Sequence, residues 1–312
     1  PDGTQGGAPR RKDQARRRDE LHRGLLVYPG AVPAAHAQPD CVFCGYREAP
    51  VHLQRPEFAI RHCPHCAVLW CDPTRFDQAF KPDDEAAYLE VEATVHTENA
   101  TRLHHLIHHA PAESHPRLLE VGCMHGDFVL QARGAGYEAR GADLSKSAVD
   151  QANRSIQDLV ELGTLDAHVG DASLDVVAAF NVIEHMDRPD EFLDHVVRAL
   201  RPGGVLIAET PAQESIYHHV LFMRGRLQPQ GRFEVGVHPG THIFKFGRRA
   251  WRTILADRGF EVLEVAPRST PMKELLAKNK RDPIMRAGII GFGLLGRVTG
   301  WENRVLVVAR RR

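Results

Sequence analysis

The sequence predicts an α/β protein built on a doubly wound, mostly parallel sheet, with a small cysteine-rich module ahead of it. Three observations lead to this prediction. After Pro116, short apolar runs alternate with helical patterns; a glycine-containing turn, residues 120–128 (EVGCMHGDF), joins the first run to the first helix; and two Cys-x-x-Cys pairs come earlier in the chain. Repeated alternation of strands and helices implies parallel strands with helices on both faces of the sheet.

The predicted elements of the large domain follow from local spacing. Short apolar runs bounded by turn residues predict buried strands. These strands cover residues 118–121, 138–142, 159–161, 174–180, 205–209, 261–265 and 304–308. Helical spacing predicts one helix that ends at Gly134 and a second over residues 145–155. Residues 113–312 therefore form the predicted sheet domain, with an insertion at residues 211–242.

The composition argues against two classes of partner. The 312 residues carry 40 basic and 40 acidic side chains, so no net charge attracts nucleic acid or a membrane surface. No apolar run reaches the ~20 residues that a membrane-spanning helix needs. The longest, residues 288–295 (GIIGFGLL), is predicted as a buried turn or two of helix, or a loop, rather than a membrane contact. The sequence does not predict an oligomeric state.

Residues 1–38 are predicted to be a disordered leader. They are rich in Gly, Pro and Gln, carry a basic run at residues 10–18 (RRKDQARRR) and lack the apolar periodicity of a folded segment. A nucleic-acid-binding arm is the alternative, but no aromatic residues for base stacking interrupt the run. No apolar signal-peptide core follows it, which predicts a cytoplasmic protein.

Two cysteine pairs predict a zinc site. Cys41 and Cys44 are separated from Cys63 and Cys66 by eighteen residues, the pattern of a tetrathiolate zinc ribbon. A structural Zn²⁺ would supply the folding free energy of this module, residues 39–72. Cys71 is predicted to be a buried thiol outside the ligand set.

Residues 73–112 are predicted to be a helical connector that caps the sheet domain. His105 and His109 within it have the i, i+4 spacing of metal-binding histidines. No carboxylate lies between them, and a metal site is not predicted there.

The glycine-containing turn predicts a nucleoside ligand. Gly122 and Gly126 permit a tight turn and a close approach of ligand to backbone, in front of a helix N-terminus with free N–H groups. Asp143 ends the next strand, where a carboxylate can accept both ribose hydroxyls. Nicotinamide dinucleotides use the same geometry. However, the turn lacks the third glycine of their fingerprint, and the fourth strand leads into NVIEHMDRP.

Four segments carry a resemblance to a known superfamily: EVGCMHGDF, GADLS, LDVVAAFNVIEHM and LRPGGVLIAETP. They resemble the class I S-adenosylmethionine-dependent methyltransferases, in particular the branch of ubiquinone-biosynthesis and sugar C-methyltransferases, in which N-terminal zinc ribbons also occur. The later segment THIFKFGRRAWRTILADRGFEV is similar to that branch as well. The resemblance implies a Rossmann-like doubly wound sheet, S-adenosylmethionine as cofactor and a small-molecule methyl acceptor.

The resemblance also implies which residues hold the cofactor. The turn would wrap its methionine part, Asp143 would bind ribose, and Leu144, Leu165 and Asp166 would lie beside adenine. The full implied set is Glu120, Gly122, Cys123, Met124, His125, Gly126, Asp143, Leu144, Leu165, Asp166, Asn181 and Val182. Met124 and His125 depart from the family, which usually has glycine and a small hydroxyl residue there. Cys123 is interpreted as a packing residue rather than a nucleophile.

Three residues are candidates for the chemistry. Methyl transfer to a hydroxyl or carbon acceptor needs a base at the carboxyl ends of the strands. Glu184 and His185 follow the fourth strand there, and His242 resembles a histidine of the sugar C-methyltransferases. Capping of the next helix is an equal alternative for Glu184 and His185. Asn181 replaces a carboxylate that some relatives place near a divalent metal, so a catalytic magnesium is not predicted.

The insertion is predicted to cover the acceptor. Its candidate pocket residues are Tyr217, His218 and His238. Arg224 and Arg226 are candidates to meet a phosphate or carboxylate, but surface solvation is the favoured interpretation of either arginine alone. The predicted function is methyl transfer to oxygen or carbon of a small molecule, such as a sugar or another hydroxylated biosynthetic intermediate. Two alternatives stay open: an RNA base methyltransferase, which needs a basic and aromatic face, and a non-catalytic zinc-ribbon binding protein with a degenerate cofactor domain.

Overall fold

A computed structural model gives the fold. It describes residues 38–54, 58–72, 92–156, 158–168, 170–216, 218–219, 222–223, 242–270, 272, 276 and 283–312. Several predictions fall outside these ranges: nearly all of the leader, the connector before residue 92, most of the insertion, and the pocket candidates Tyr217, Arg224, Arg226 and His238.

The described residues form eleven strands and seven α-helices. The strands are β1 (Val51–Gln54), β2 (Ala59–His62), β3 (Leu69–Asp72), β4 (Arg117–Val121), β5 (Glu138–Asp143), β6 (Val160–Leu162), β7 (Leu174–Phe180), β8 (Leu200–Pro211), β9 (Phe244–Lys245), β10 (Phe260–Arg268) and β11 (Arg304–Arg311). The helices are α1 (Glu92–His109), α2 (Asp127–Gly134), α3 (Lys146–Ile156), α4 (Leu165–His168), α5 (Pro189–Ala199), α6 (Arg248–Ala256) and α7 (Pro283–Thr299). Short 3₁₀ turns occupy Ala112–Ser114 and Ile183–His185.

Seven strands make the large sheet, in the order β10-β11-β8-β7-β4-β5-β6. Pairs from β8 to β6 are parallel, and β11 runs antiparallel to both of its neighbours. Every strand predicted for this domain is present. The chain order reverses at β4, which lies between β5 and β7, and ligands of such sheets bind at this switch point. The carboxyl ends of these three strands therefore position the site.

The sheet is buried on both faces because its central strands are apolar throughout. In β7, six of the seven residues of LDVVAAF are buried. One face packs against α2 and α3 through Phe128, Val129 and Ala152, and the other against α5 and α6 through Leu193 and Trp251. This is the layered arrangement that the strand–helix alternation predicts.

The second sheet joins the cysteine-rich module to the large domain. Its order is β1-β2-β3-β9, all antiparallel, and β9 comes from the chain that follows the insertion. The Cys71 amide donates to the Ile243 carbonyl at 2.9 Å, and the Phe43 ring lies 5.7 Å from the ring of Phe246. The sequence did not predict β9. Module and domain share one hydrophobic core as a result.

Helix α1 lies within the predicted connector, residues 73–112, and packs on the sheet through charged residues. Arg102 contacts Glu209 of β8 at 2.5 Å, and its guanidinium lies 4.5 Å from the centre of the Phe180 ring. His105 and His109 each lie 2.9 Å from a different oxygen of one carboxylate, that of Glu264 on β10. Glu264, from a distant strand, thus provides the carboxylate that is absent between the two histidines in the sequence.

The prediction of a buried segment at residues 288–295 is wrong. These residues lie in the middle of α7, where Leu294 is 54% exposed and Leu295 is 50% exposed. Among the described residues, no helix combines the length and apolarity needed to cross a membrane.

Candidate functional site

Four cysteine side chains converge in the N-terminal module. The Sγ atoms of Cys41, Cys44, Cys63 and Cys66 all lie within 4.8 Å of one another. Two pairs, Cys41–Cys66 and Cys44–Cys63, are 3.5 Å apart. A tetrahedral ZnS₄ site with Zn–S bonds of about 2.3 Å has sulfur–sulfur edges of about 3.8 Å. The cluster therefore fits one structural zinc, as the spacing predicts, and Cys71 lies outside it.

The glycine turn between β4 and α2 is shaped by two left-handed glycines. Gly122 has φ +70°, and a Cβ there would lie 2.3 Å from a methyl carbon of Val182. Gly126 has φ +77°, and a Cβ there would lie 2.3 Å from Ile156. A side chain at either position would strain the backbone and force a neighbouring side chain to move. Met124 is also left-handed, at φ 48°, which explains why the family favours glycine at this position.

Asp143 lies at the carboxyl end of β5, facing this turn. Its Oδ2 accepts a hydrogen bond from the Met124 amide at 2.9 Å, and its Oδ1 accepts one from the Ser145 amide at 2.8 Å. A carboxylate has further lone pairs, so these bonds orient it and leave acceptor capacity for ribose hydroxyls. Leu144, next in the chain, is 60% exposed and offers an apolar surface for an adenine ring.

The other predicted cofactor residues lie around this turn. Glu120 is buried, and its Oε2 has no hydrogen-bond partner among the described residues. Burial raises the pKa of Glu120 well above its usual range, against the influence of Arg102. Cys123 is buried against β5, where a Cβ at Gly141 would lie 2.4 Å from its sulfur, in keeping with a packing role. His125 is half-buried, Leu165 is buried on α4, and the side chain of Asp166 lies outside the described part.

The three catalytic candidates converge beyond the end of β7. Glu184 and His185 lie in the 3₁₀ turn, and His242 comes from the chain just before β9. The rings of His185 and His242 are 4.9 Å apart, and His185 Nε2 lies 3.9 Å from Glu184 Oε1. Their ligand atoms all lie within 4.8 Å of one another, so two imidazoles and a carboxyl group could also meet one divalent ion.

Burial controls the charge of this cluster. It raises the pKa of Glu184 to about 8, and neither carboxyl oxygen has a hydrogen-bond partner among the described residues. Burial, with smaller contributions from His185 and Lys245, lowers the pKa of His242 to about 3. At neutral pH His242 is therefore an uncharged imidazole, and the same burial makes it a weak base. Burial likewise lowers the pKa of Lys245 to about 8, opposed by the carboxyl group of Glu184.

Several residues near the site were not predicted. Lys245 of β9 is buried next to the cluster, and Glu209 at the end of β8 is buried among Arg102, Arg268 and Arg304. The Glu209 carbonyl also accepts the Asn181 amide at 2.8 Å, which fixes the start of the loop after β7. Two features of the sequence could have indicated these residues. Lys245 lies between the apolar residues of a strand-like pattern, and Glu209 is an acidic residue near the carboxyl end of a strand. Of the pocket candidates, His218 is described and buried.

The chain is similar in sequence to known methyltransferases. A family model described as a methyltransferase domain matches residues 94–265. The 27-O-demethylrifamycin SV methyltransferase of Amycolatopsis mediterranei is 34% identical over 40% of this chain and 47% of its own length. The ubiquinone biosynthesis O-methyltransferase of Rickettsia bellii is 27% identical over 37% of this chain and 52% of its own length. The chain thus spans about half the length of these curated relatives.

A solved structure shares the fold. The SAM-dependent methyltransferase of Archaeoglobus fulgidus superimposes with a TM-score of 0.51 and 17% identity, covering 72% of this chain and 99% of that protein. The family model, which matches residues 94–265, spans the glycine turn, Asp143 and the loop after β7.

Proposed function

The chain belongs to the class I methyltransferase family, and on that premise we propose that it transfers a methyl group from S-adenosylmethionine to a hydroxyl oxygen of a small-molecule acceptor. The observation that carries the proposal is the meeting of His185 and His242 beside the loop that packs on the glycine turn. The names of the two relatives favour oxygen over carbon as the acceptor atom. A sugar or another hydroxylated intermediate satisfies this chemistry.

The cofactor side is built from groups that suit a nucleoside with an amino-acid tail. The carboxylate of Asp143 would accept the ribose hydroxyls, Leu144 would cover the adenine, and the backbone of the glycine turn would lie against the methionine part. The unpartnered Oε2 of Glu120 supports the presence of a polar ligand nearby. S-adenosylmethionine supplies an already activated methyl group when bound.

The chain's own task is to hold the acceptor in line and to take its proton. A hydroxyl oxygen is too weak a nucleophile at neutral pH unless a base accepts its proton during transfer. His185 is the proposed base. Glu184 lies beside it, with 3.9 Å between its Oε1 and His185 Nε2, and is mostly protonated at neutral pH, so it places no full negative charge next to the proposed base. The His242 ring lies next to that of His185 and, with its pKa lowered to about 3, is the weaker base of the two candidates.

The proposal is tested in two steps with the zinc-loaded full chain. Calorimetry first measures binding of S-adenosylmethionine. Release of S-adenosylhomocysteine is then followed with polyphenols, nucleotide sugars and hydroxylated macrolides as acceptors. Cofactor binding with acceptor-dependent release supports the proposal. No measurable cofactor binding would contradict it and favour a non-catalytic binding protein, whereas release only with RNA would favour an RNA methyltransferase.

A further inference from the structure

The chain that leaves β8 is held beside β9. Ala212 pairs with Phe246 in a parallel bridge, and the Gln213 amide donates to the Phe246 carbonyl at 2.9 Å. A short segment follows, called here the insertion segment, and its described residues are Ser215, Ile216, His218, His219, Phe222 and Met223. It starts at the carboxyl end of a sheet strand, next to the strand that carries Lys245, so it lies beside the catalytic candidates.

Two ring stacks hold the insertion segment in place. Phe222 stacks on His52 of β1, with ring centroids 4.6 Å apart and an angle of 28° between the planes. His219 stacks on Trp301, with a centroid distance of 5.0 Å and an angle of 22°. One partner ring belongs to the cysteine module and the other to the chain that follows α7. Long-range contacts therefore fix the segment, as they fix the support of a preorganised binding group.

His218 is the polar side chain that this arrangement buries. Its amide donates to Ser215 Oγ at 3.0 Å, which caps the first helical turn, and the residue is 4% exposed. Its ring atom Nδ1 is buried and has no hydrogen-bond partner among the described residues. A buried polar atom without a partner costs free energy that an apolar side chain at the same position would not. Next to a binding site, such an atom indicates that a ligand supplies the partner.

Lys245 connects His218 with the catalytic candidates. Burial, with a smaller contribution from Lys245, lowers the pKa of His218 to about 2. Lys245 also contributes to the lowered pKa of His242, and Glu184 opposes the lowering of the pKa of Lys245 itself. His218, His242 and Glu184 therefore lie around one buried lysine. At neutral pH His218 is an uncharged imidazole, with one donor and one acceptor nitrogen.

Glu184 shows the same feature as His218. It is fully buried, and both of its carboxyl oxygens lack a hydrogen-bond partner within the described part of the chain. Unpaired buried atoms thus occur on two segments, one after β7 and one after β8. A ligand with oxygen groups at two positions would satisfy both segments, and a hydroxylated acceptor has such groups.

We propose that His218 is an acceptor-binding residue whose Nδ1 hydrogen-bonds a second oxygen of the acceptor, while His185 faces the hydroxyl that is methylated. The inference rests on the proposed function and names the feature that selects its substrates, which is an oxygen group besides the reacting hydroxyl. This hydrogen bond is the same before and during methyl transfer. It therefore contributes to acceptor affinity and not to the rate of the bound complex.

His218→Leu tests this role, because leucine is close to histidine in size and has no polar side-chain atom. The zinc-loaded full chain is assayed with quercetin, UDP-glucose and erythromycin by release of S-adenosylhomocysteine. For each acceptor that is methylated, the variant should raise the KM at least about tenfold and keep kcat within about twofold. The affinity for S-adenosylmethionine should not change. Thermal stability should be equal or higher, since the variant removes a buried unpaired atom.

Two further variants make the result specific. His218→Asn keeps a polar atom close to the position of Nδ1 and should recover part of the acceptor affinity. Met223→Ala changes an exposed side chain of the same segment and should behave like the wild type. 

A wild-type KM in His218→Leu would overturn the inference and mean that water alone satisfies Nδ1. Parallel losses of kcat, cofactor affinity and thermal stability would also overturn it, because they indicate a structural role. Release with none of the three acceptors would contradict the proposed function itself, and the inference with it.

Discussion

The imidazole rings of His185 and His242 lie 4.9 Å apart, although one follows β7 and the other precedes β9. A backbone hydrogen bond holds the two segments together: the Ile243 amide donates to the Glu184 carbonyl at 2.8 Å. Because β9 also pairs with β3, the position of His242 depends on the cysteine module as well as on the large sheet.

The first prediction concerns the proposed base. His185→Ala should lower turnover by about 10²- to 10⁴-fold and leave the affinity for S-adenosylmethionine nearly unchanged, because a positioned base acts in the transition state. His242→Ala should have a smaller effect. Steady-state kinetics and calorimetry measure both quantities, and His104→Ala, an exposed histidine of α1, is the control. If the His185→Ala variant is folded and has wild-type turnover, His185 is not the base, and His242 becomes the next residue to test.

Zinc should determine the geometry of the catalytic cluster. Cys63→Ser with Cys66→Ser should remove the metal and lower both turnover and thermal stability. Without the metal, β3 would no longer hold β9 and the preceding His242 in place. Metal analysis should find about one zinc per chain in the wild type and none in the double variant. Cys71→Ser should retain zinc, because its sulfur lies outside the four-cysteine cluster. Full retention of zinc by the double variant would contradict the ligand assignment.

Cofactor affinity should depend on Asp143. Asp143→Ala should bind S-adenosylmethionine at least about tenfold more weakly, since hydrogen bonds to a charged group contribute ~1.5 to 3 kcal/mol. Asp150→Ala removes an exposed carboxylate that pairs with Lys146 and should bind like the wild type. Calorimetry that gives Asp143→Ala and Asp150→Ala the same affinity would exclude Asp143 as the ribose ligand.

The contact between Gly122 and Val182 predicts a pair of opposing effects. Gly122→Ala should weaken cofactor binding and destabilise the fold by about 1 to 3 kcal/mol, because it combines a positive φ with a clash. Adding Val182→Ala should recover part of this loss by removing the methyl groups in the way. If Val182→Ala gives no recovery, backbone strain alone accounts for the effect.

Buried histidines should make the fold sensitive to acid. Burial lowers the folded-state pKa of His242 from 6.5 to about 3 and that of His218 from 6.5 to about 2. Below about pH 6.5 the unfolded chain binds protons that the folded chain does not, so stability falls as the pH falls, by up to about 1.4 kcal/mol per pH unit for each group. Between neutral pH and pH 5, the free energy of unfolding measured in urea should therefore decrease less for His218→Asn than for the wild type. Parallel curves for the two proteins would contradict the pKa assignment.

The sheet could be predicted from sequence because its strands are short apolar runs between turn residues. Strand β9 could not, since it has two residues and its partner β3 lies far away in the chain. The convergence of His185 and His242 was missed for the same reason: both were candidates, but nothing local indicates that the cysteine module brings them together. Residues 288–295 were predicted to be buried because they are apolar. Composition alone does not show which side chains of a helix pack on the domain and which remain exposed.

The antiparallel pairing of β3 with β9 has a consequence for synthesis. The cysteine module is complete long before the ribosome reaches Lys245, and β3 is meanwhile an edge strand with unpaired backbone groups. At about 5 to 20 residues per second, this interval is on the order of ten seconds or more. A nascent chain with an open β edge is at risk of pairing with other chains. Early zinc capture would hold the module in shape, but only the arrival of β9 closes that edge.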